Sequence, residues 1–175
     1  MNAASAANTA AILGGHDPRA RISGAANTAV GELKGSSCMS LHEEAALGAI
    51  ADAGLKLSDI DGVLCAYSFT EPHLMLGSVF CEYVGIPPPF CSAIACGGAT
   101  AGIMLMQAAA LVASGQCRHV LCVTGDNRAT GMSRDGAVAA LADVGHAQFE
   151  RPYGISVPAG YGLVAQRYLH EYGAT

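Results

Sequence analysis

The stretch CSAIACGGATAG, residues 91–102, decides how the rest of the chain is read. Just before it, IPPPF (86–90) cannot be helical, because each proline lacks an N–H donor and fixes φ. Phe90–Ala95 is small and apolar and reads as a strand. After it, the apolar run through GIMLMQAAALVASG is too long for a strand, and it predicts a helix from about Thr100 to Ala113, stopped by Gly115. Gly97 and Gly98 therefore lie in a tight strand-to-helix turn, with Cys96 at its edge. Cys96 is either a nucleophile presented at a helix N-terminus or one more small residue in a packed strand end.

The same reading extends in both directions. SLHEEAALGAIADAG (40–54) predicts a helix, with Ser40 as N-cap, Glu43 completing a capping box and Gly54 closing the end. On this helix Leu41, Ala45, Ala46, Ala49 and Ile50 form the apolar face, and His42 falls on the exposed one. GVLCAYSF (62–69) is a buried strand, HLMLGSVFCEYVG (73–85) a helix ended by Gly85, and HVLCVTGDN (119–127) a further strand. RISGAANTAVG (21–31) carries a weaker strand signal. Together these give β-α-β-α-β-α-β, an α/β fold with a mostly parallel sheet and helices on both faces. Residues 1–20 read as a flexible leader with one short strand at Ala10–Leu13, 21–128 as the α/β core, and 129–175 as the start of a loop-rich region with a last helix at 161–173. Ligands in such folds bind at the carboxyl ends of strands, here Ala95–Gly98 and Gly125–Arg128.

Composition sets limits on function. The 175 residues are 51% hydrophobic and only 13% charged, with 22 glycines and no Trp, which suits buried parallel strands or a face covered by a partner. The net charge of −5, without a basic stripe or zinc-finger spacing, argues against nucleic acid. No apolar run reaches the roughly 18 residues of a membrane span. The N-terminus lacks the basic region of a signal peptide. Seven cysteines, an odd number without CxxC, read as reduced thiols used as small hydrophobes in a cytoplasmic protein.

Several pieces resemble the thiolase superfamily in order and at natural spacing. SLHEEAALGAIADAGLKLSDIDGVLCAYSF is similar to the first helix and second strand of sterol-carrier-protein-type thiolases. GGATAGIMLMQAAALVASGQCRHVLCVTGDNR resembles the segment that holds their nucleophilic cysteine. FERPYGISVPAGYGLVAQRYLHEYGAT resembles the loop region that follows, and the likeness spans about residues 21–175. In the family the nucleophile opens a Cys-Ala-Ser/Thr-Gly turn seventeen positions before the glycine that ends the helix. Counting back from Gly115 reaches Gly98, so Gly98-Ala99-Thr100-Ala101 overlays that motif with glycine where the family has the thiol.

The resemblance implies the N-terminal half of a thiolase fold, with the final strand of that half missing and one sheet face or edge bare. The catalytic histidine and second cysteine of the family lie beyond this chain. A thiolase cysteine forms an acyl intermediate, its thiolate favoured at a helix N-terminus. Gly98 keeps the anion-friendly pocket but supplies no nucleophile. Cys96 lies two residues upstream, roughly 6–7 Å along an extended chain.

The candidate catalytic residues are therefore Cys96 and His146, the latter in the loop region that lines the acyl-CoA pocket of the family. Gly97, Gly98, Ala99, Thr100 and Tyr153 are candidates for substrate binding. The two glycines would serve close approach of backbone or ligand, and Tyr153 and Tyr161 would pack or hydrogen-bond a substrate carbonyl. His146 reads alternatively as an exposed loop residue. Asp126 and Arg128 either act in a pocket or form a local turn salt bridge.

Three readings of function remain open. The first is a thiolase-like protein acting on or binding acyl-CoA thioesters, by acyl transfer or carbon–carbon bond chemistry of the acetyl-CoA acetyltransferase type. The second is a cysteine-less, lipid-transfer-type aldolase subunit working with an OB-fold partner. The third is a non-catalytic acyl-CoA-binding or scaffold subunit. No metal or redox cofactor is implied, and coenzyme A enters as a substrate carrier. Phe90–Ala95 is the expected homodimer strand, and a second chain would supply the missing thiolase half.

Overall fold

The computed structural model describes residues 20–174. Residues 1–19, and with them the expected leader and its strand at Ala10–Leu13, lie outside this range. The chain divides into two units, one ending at Asn127 and one starting at Arg128.

In the first unit α1 (Cys38–Asp52) leads through a 3-10 turn to β1 (Gly62–Ala66). Then come α2 (Leu76–Val84), β2 (Phe90–Ile94), α3 (Thr100–Ala113) and β3 (Val120–Val123). The strands form a parallel sheet in the order β2-β1-β3. Central β1 pairs Val63 with Cys91 on one side and with Leu121 on the other.

All five residues of β1 are buried, as a parallel strand covered on both faces requires. Successive side chains point to opposite faces. Val63 and Cys65, with Leu121 and Val123, pack against Cys38, Met39, Ala46 and Ile50 of α1 and Leu76, Phe80 and Cys81 of α2. Leu64, Ala66 and Ile94 face Met104 of α3. Two glycines let helices settle onto the sheet. A Cβ on Gly77 would meet the Cys91 sulfur at 2.8 Å, and one on Gly125 would meet the His42 backbone nitrogen at 3.0 Å.

Helix α1 starts three residues earlier than the Ser40-x-x-Glu43 motif predicts. Ser37 is the N-cap: its Oγ accepts from the Ser40 N–H at 3.0 Å, and the Ser40 Oγ accepts from the Ser37 N–H at 2.9 Å. A serine at the third helical position replaces the expected Glu in this reciprocal pair. Residues 21–31 form no strand. The Ala25 N–H donates to the Asp52 carboxylate at 2.9 Å, and Gly24 packs against Ala49 and Ala53, so the segment lies along α1 instead of joining the sheet.

The second unit holds α4 (Arg128–Gly131), α5 (Arg134–Ala142), a 3-10 turn at Arg151–Tyr153 and α6 (Val157–Tyr172). It is more helical than its loop-like composition predicts. Ser133 caps α5 by accepting from the Gly136 N–H, and Ser156 caps α6, with Pro158 in its first turn. Gly173, in the left-handed region, ends α6.

Candidate functional site

The Cys96–Thr100 turn joins β2 to α3. Gly97 has φ +57°, a left-handed conformation that favours glycine. The Thr100 hydroxyl clasps the turn: its Oγ1 accepts from the Cys96 N–H at 3.0 Å and donates to the Gly97 carbonyl at 2.8 Å. The Ala99 N–H donates to the Cys96 carbonyl at 3.2 Å. Thr100 is buried, whereas its partners in the clasp, Cys96 and Gly97, are exposed.

Cys96, Gly97, Gly98 and Ala99 are exposed, and Cys96 is a free thiol, not the buried small residue of the blander reading. Neither glycine serves a close backbone approach. A Cβ on Gly97 or Gly98 would meet nothing within 4 Å, so only the left-handed φ of Gly97 calls for glycine. At Gly98 the turn leaves open space at the N-terminal end of a 14-residue helix, and no side chain stands there.

His146 and Tyr153 belong to the second unit. His146 is exposed, and its Nδ1 accepts from the N–H groups of Gln148 (3.2 Å) and Phe149 (3.3 Å). Its ring lies 4.9 Å from that of Phe149, and its own N–H donates to Glu150 at 2.5 Å. The side chain thus organises its own turn. An ion pair between Arg151 and Asp143 at 2.8 Å lies in the same unit. Tyr153 is 86% exposed and Tyr161 74%, so neither packs as the sequence reading expected.

A polar cluster at the carboxyl ends of β1 and β3 went largely unread in the sequence. Asp126 Oδ1 accepts from the hydroxyls of Ser68 (2.9 Å) and Thr70 (2.5 Å) and from the Thr70 N–H (3.2 Å). Its Oδ2 accepts from the Phe69 N–H at 3.0 Å. Glu71 accepts from the Cys38 N–H at the start of α1 at 2.8 Å. The Asn127 amide donates to the carbonyls of Leu33 and Ser36, both at 2.8 Å. Asp126 therefore ties the segment after β1 to the end of β3. The GDN triplet was visible as a strand end, but nothing in the sequence marks Ser68–Glu71 as its partner.

His42, expected on an exposed face, is fully buried between α1 and the sheet. Its Nδ1 lies 2.8 Å from the Cys38 carbonyl and 3.4 Å from the Cys38 sulfur. Its Nε2 is buried without a hydrogen-bond partner. Burial lowers the imidazole pKa, against an opposing pull from the Cys38 and Ala66 carbonyls. Burial likewise raises the Cys38 thiol. Both shifts favour the neutral forms, the opposite of what a thiolate–imidazolium couple requires.

Among the described residues no group of three or more His, Cys, Asp or Glu side chains is arranged to hold a metal ion. No described helix is long and apolar enough to cross a membrane.

No family model matches the chain. It is 34% identical to a steroid side-chain-cleaving aldolase of Thermomonospora curvata, over 89% of this chain and 41% of that protein. It is 32% identical to an acetyl-CoA acetyltransferase of Methanocaldococcus jannaschii, over 88% of this chain and 39% of that protein. Among solved structures, the Ltp2-ChsH2(DUF35) aldolase superposes with a TM-score of 0.67 at 33% identity, covering 88% of this chain and 38% of that one. The chain spans about two fifths of the length of the curated relatives it matches. With these relatives, a parallel sheet covered on both faces and the strand–glycine turn–helix unit at 90–113, the chain belongs to the thiolase superfamily.

Proposed function

We propose that the chain is the N-terminal part of a thiolase-like protein that acts on acyl-CoA thioesters, cleaving a carbon–carbon bond in the manner of an aldolase. The observation that carries this reading is Gly98. Gly98, which the resemblance matches to the position of the family thiol, has no side chain and has open space around it at the start of α3. A covalent acyl-enzyme needs a nucleophile there, whereas retro-aldol cleavage does not. It needs a base for the β-hydroxyl proton and stabilisation of the enolate oxygen that forms as the Cα–Cβ bond breaks. The N-terminus of α3 supports the second requirement through its backbone N–H groups. The likeness to two proteins named aldolases, at 34% and 33% identity, favours this reading over acyl transfer.

Acyl transfer is kept as a second reading by one observation: Cys96 is a free, exposed thiol two residues from Gly98. Gly97, Ala99 and Thr100 are proposed as the frame of the thioester site; His146 and Tyr153 are each proposed as a functional polar group in their own unit. Coenzyme A is proposed as the carrier of the substrate, with no separate cofactor, and the cytoplasm as the compartment.

Further protein is proposed to complete the site. Leu105 and Met106 of α3 are 50% and 63% exposed, and a helix apolar on all sides is normally covered. A second thiolase-type half, on this polypeptide or on another, is the proposed cover. An OB-fold protein is the proposed accessory partner. The half-buried edge strand β2 is the proposed homodimer contact, because an open edge needs covering.

The test is to incubate the protein, alone and with its complete second half, with an acyl-CoA and with a β-hydroxyacyl-CoA. Cleavage of the β-hydroxyacyl-CoA without an acyl adduct in the intact mass supports the aldolase. An adduct abolished by Cys96→Ala replaces it with acyl transfer. Binding without turnover of either compound leaves a scaffold.

A further inference from the structure

Cys81 of α2 and Cys91 of the edge strand β2 place their sulfurs 3.6 Å apart, and both are free thiols. Two features bring them together. Cys81 lies one helical turn after Gly77, so both face β2 from the same side of α2. Gly77 is the glycine whose Cβ would strike the Cys91 sulfur at 2.8 Å, so its missing side chain lets the helix settle onto Cys91. A disulfide sulfur pair is separated by about 2.0 Å, so closure requires the two atoms to move together by roughly 1.5 Å.

We propose that Cys81 and Cys91 form a peroxide-responsive dithiol that closes an intrachain disulfide and pins α2 to the edge strand. This goes beyond the acyl-CoA reading and does not depend on it. Cys91 is the partly exposed member and Cys81 the buried one, which assigns the order of steps. The Cys91 sulfur attacks hydrogen peroxide. A sulfur–oxygen bond forms, the peroxide bond breaks, and the products are Cys91 sulfenic acid and water. The Cys81 sulfur then attacks the Cys91 sulfur. The sulfur–sulfur bond forms, the sulfur–oxygen bond breaks, and the Cys81 proton leaves with the hydroxyl as a second water. In total two thiols are oxidised to one disulfide, and one peroxide is reduced to two waters. Burial and the neighbouring Cys91 raise the pKa of Cys81, which makes it a slow attacking thiol and the second step the slower one.

The test uses the purified chain exposed to hydrogen peroxide, quenched in acid, alkylated under denaturing conditions and digested with a Glu-specific protease and trypsin. Cleavage after Glu82 separates the two cysteines, so a disulfide appears as a cross-linked peptide pair. The expected result is a Cys81–Cys91 cross-link, a folded protein lighter by two hydrogens, and a higher urea midpoint than the reduced form. In Cys81→Ser, Cys91 should instead be trapped by dimedone as the sulfenic acid. Cys81 and Cys91 both remaining alkylatable while the exposed Cys96 is oxidised would overturn the proposal. So would a cross-link that appears only when peroxide is added to unfolded chain, a result readable in the wild type even where a variant fails to fold.

Discussion

A Cβ on Gly125 would stand 2.9 Å from Nδ1 of His42, a ring that is itself fully buried. The end of β3 and the first turn of α1 are in contact at a distance that only a glycine permits. The His42 backbone nitrogen at 3.0 Å and the Leu41 Cβ at 3.2 Å close the same space, so no side-chain rotation relieves it.

Gly125→Ala should therefore destabilise the chain by about 1–3 kcal/mol, the usual cost of overpacking. Urea unfolding followed by circular dichroism measures it. Gly98→Ala, placed in open space without a positive φ, is the control and should fall within about 0.5 kcal/mol of wild type. Equal midpoints for the two variants would show that α1 moves away from β3 freely.

His42 also sets a pH dependence. Burial depresses its folded pKa below the ordinary imidazole value of 6.5, so the unfolded chain binds the extra proton first as pH falls. The stability contributed by the neutral ring is complete above about pH 6.5 and is lost as pH falls toward the folded pKa. The urea midpoint of the wild type should drop between pH 7.5 and 5.5 by more than that of His42→Leu. Parallel curves for the two proteins would assign the acid sensitivity to other groups.

Asp126 accepts four hydrogen bonds from Ser68, Phe69 and Thr70, two from hydroxyls and two from backbone N–H groups. Asp126→Ala leaves those donors to find water and should cost about 1.5–3 kcal/mol, the range for hydrogen bonds to charged groups. Hydrogen exchange should accelerate at the Phe69 and Thr70 amides before it does in β1. Protection unchanged at those two amides would mean the segment is held by something else.

Gly98→Cys restores a side chain where the turn has room for one. In a Cys96→Ala background the variant should fold with an unchanged urea midpoint and gain an acyl adduct on incubation with acetyl-CoA, read by intact mass. Labelling of the new thiol by a maleimide without any acylation would show that the turn lacks the surroundings that activate a thiol.

Much of the core was legible because local signals and tertiary packing agree. Gly85 and Gly115 stop α2 and α3 as read, and the prolines before Phe90 place β2. Three readings failed, two of them where a distant partner decides the outcome and one through a local shift of register. The segment 21–31 looked like a strand because its residues are small, but Gly24 packs on the last turn of α1. His42 looked exposed beside Glu43 and Glu44, yet the contact that buries it comes from Gly125. Ser40-x-x-Glu43 is a sound capping motif in the wrong register, since Ser37 makes the same bonds to Ser40. At the candidate site, Gly98 was singled out only through the spacing that the thiolase resemblance supplies. Cys96 and His146 sit in different units, and no sequence signal could say how such residues relate.

The alternation along β1 has a consequence for mutational coupling. Val63 and Leu64 are adjacent in the chain, but Val63 packs with Phe80 and Leu76, while Leu64 packs with Met104. Truncations at Val63 and Leu64 should be nearly additive, whereas Leu64 and Met104, which share a packing layer, should not be. Substitutions can therefore accumulate and compensate on one side of the sheet without a matching repair on the other, so the two layers are free to diverge at different rates.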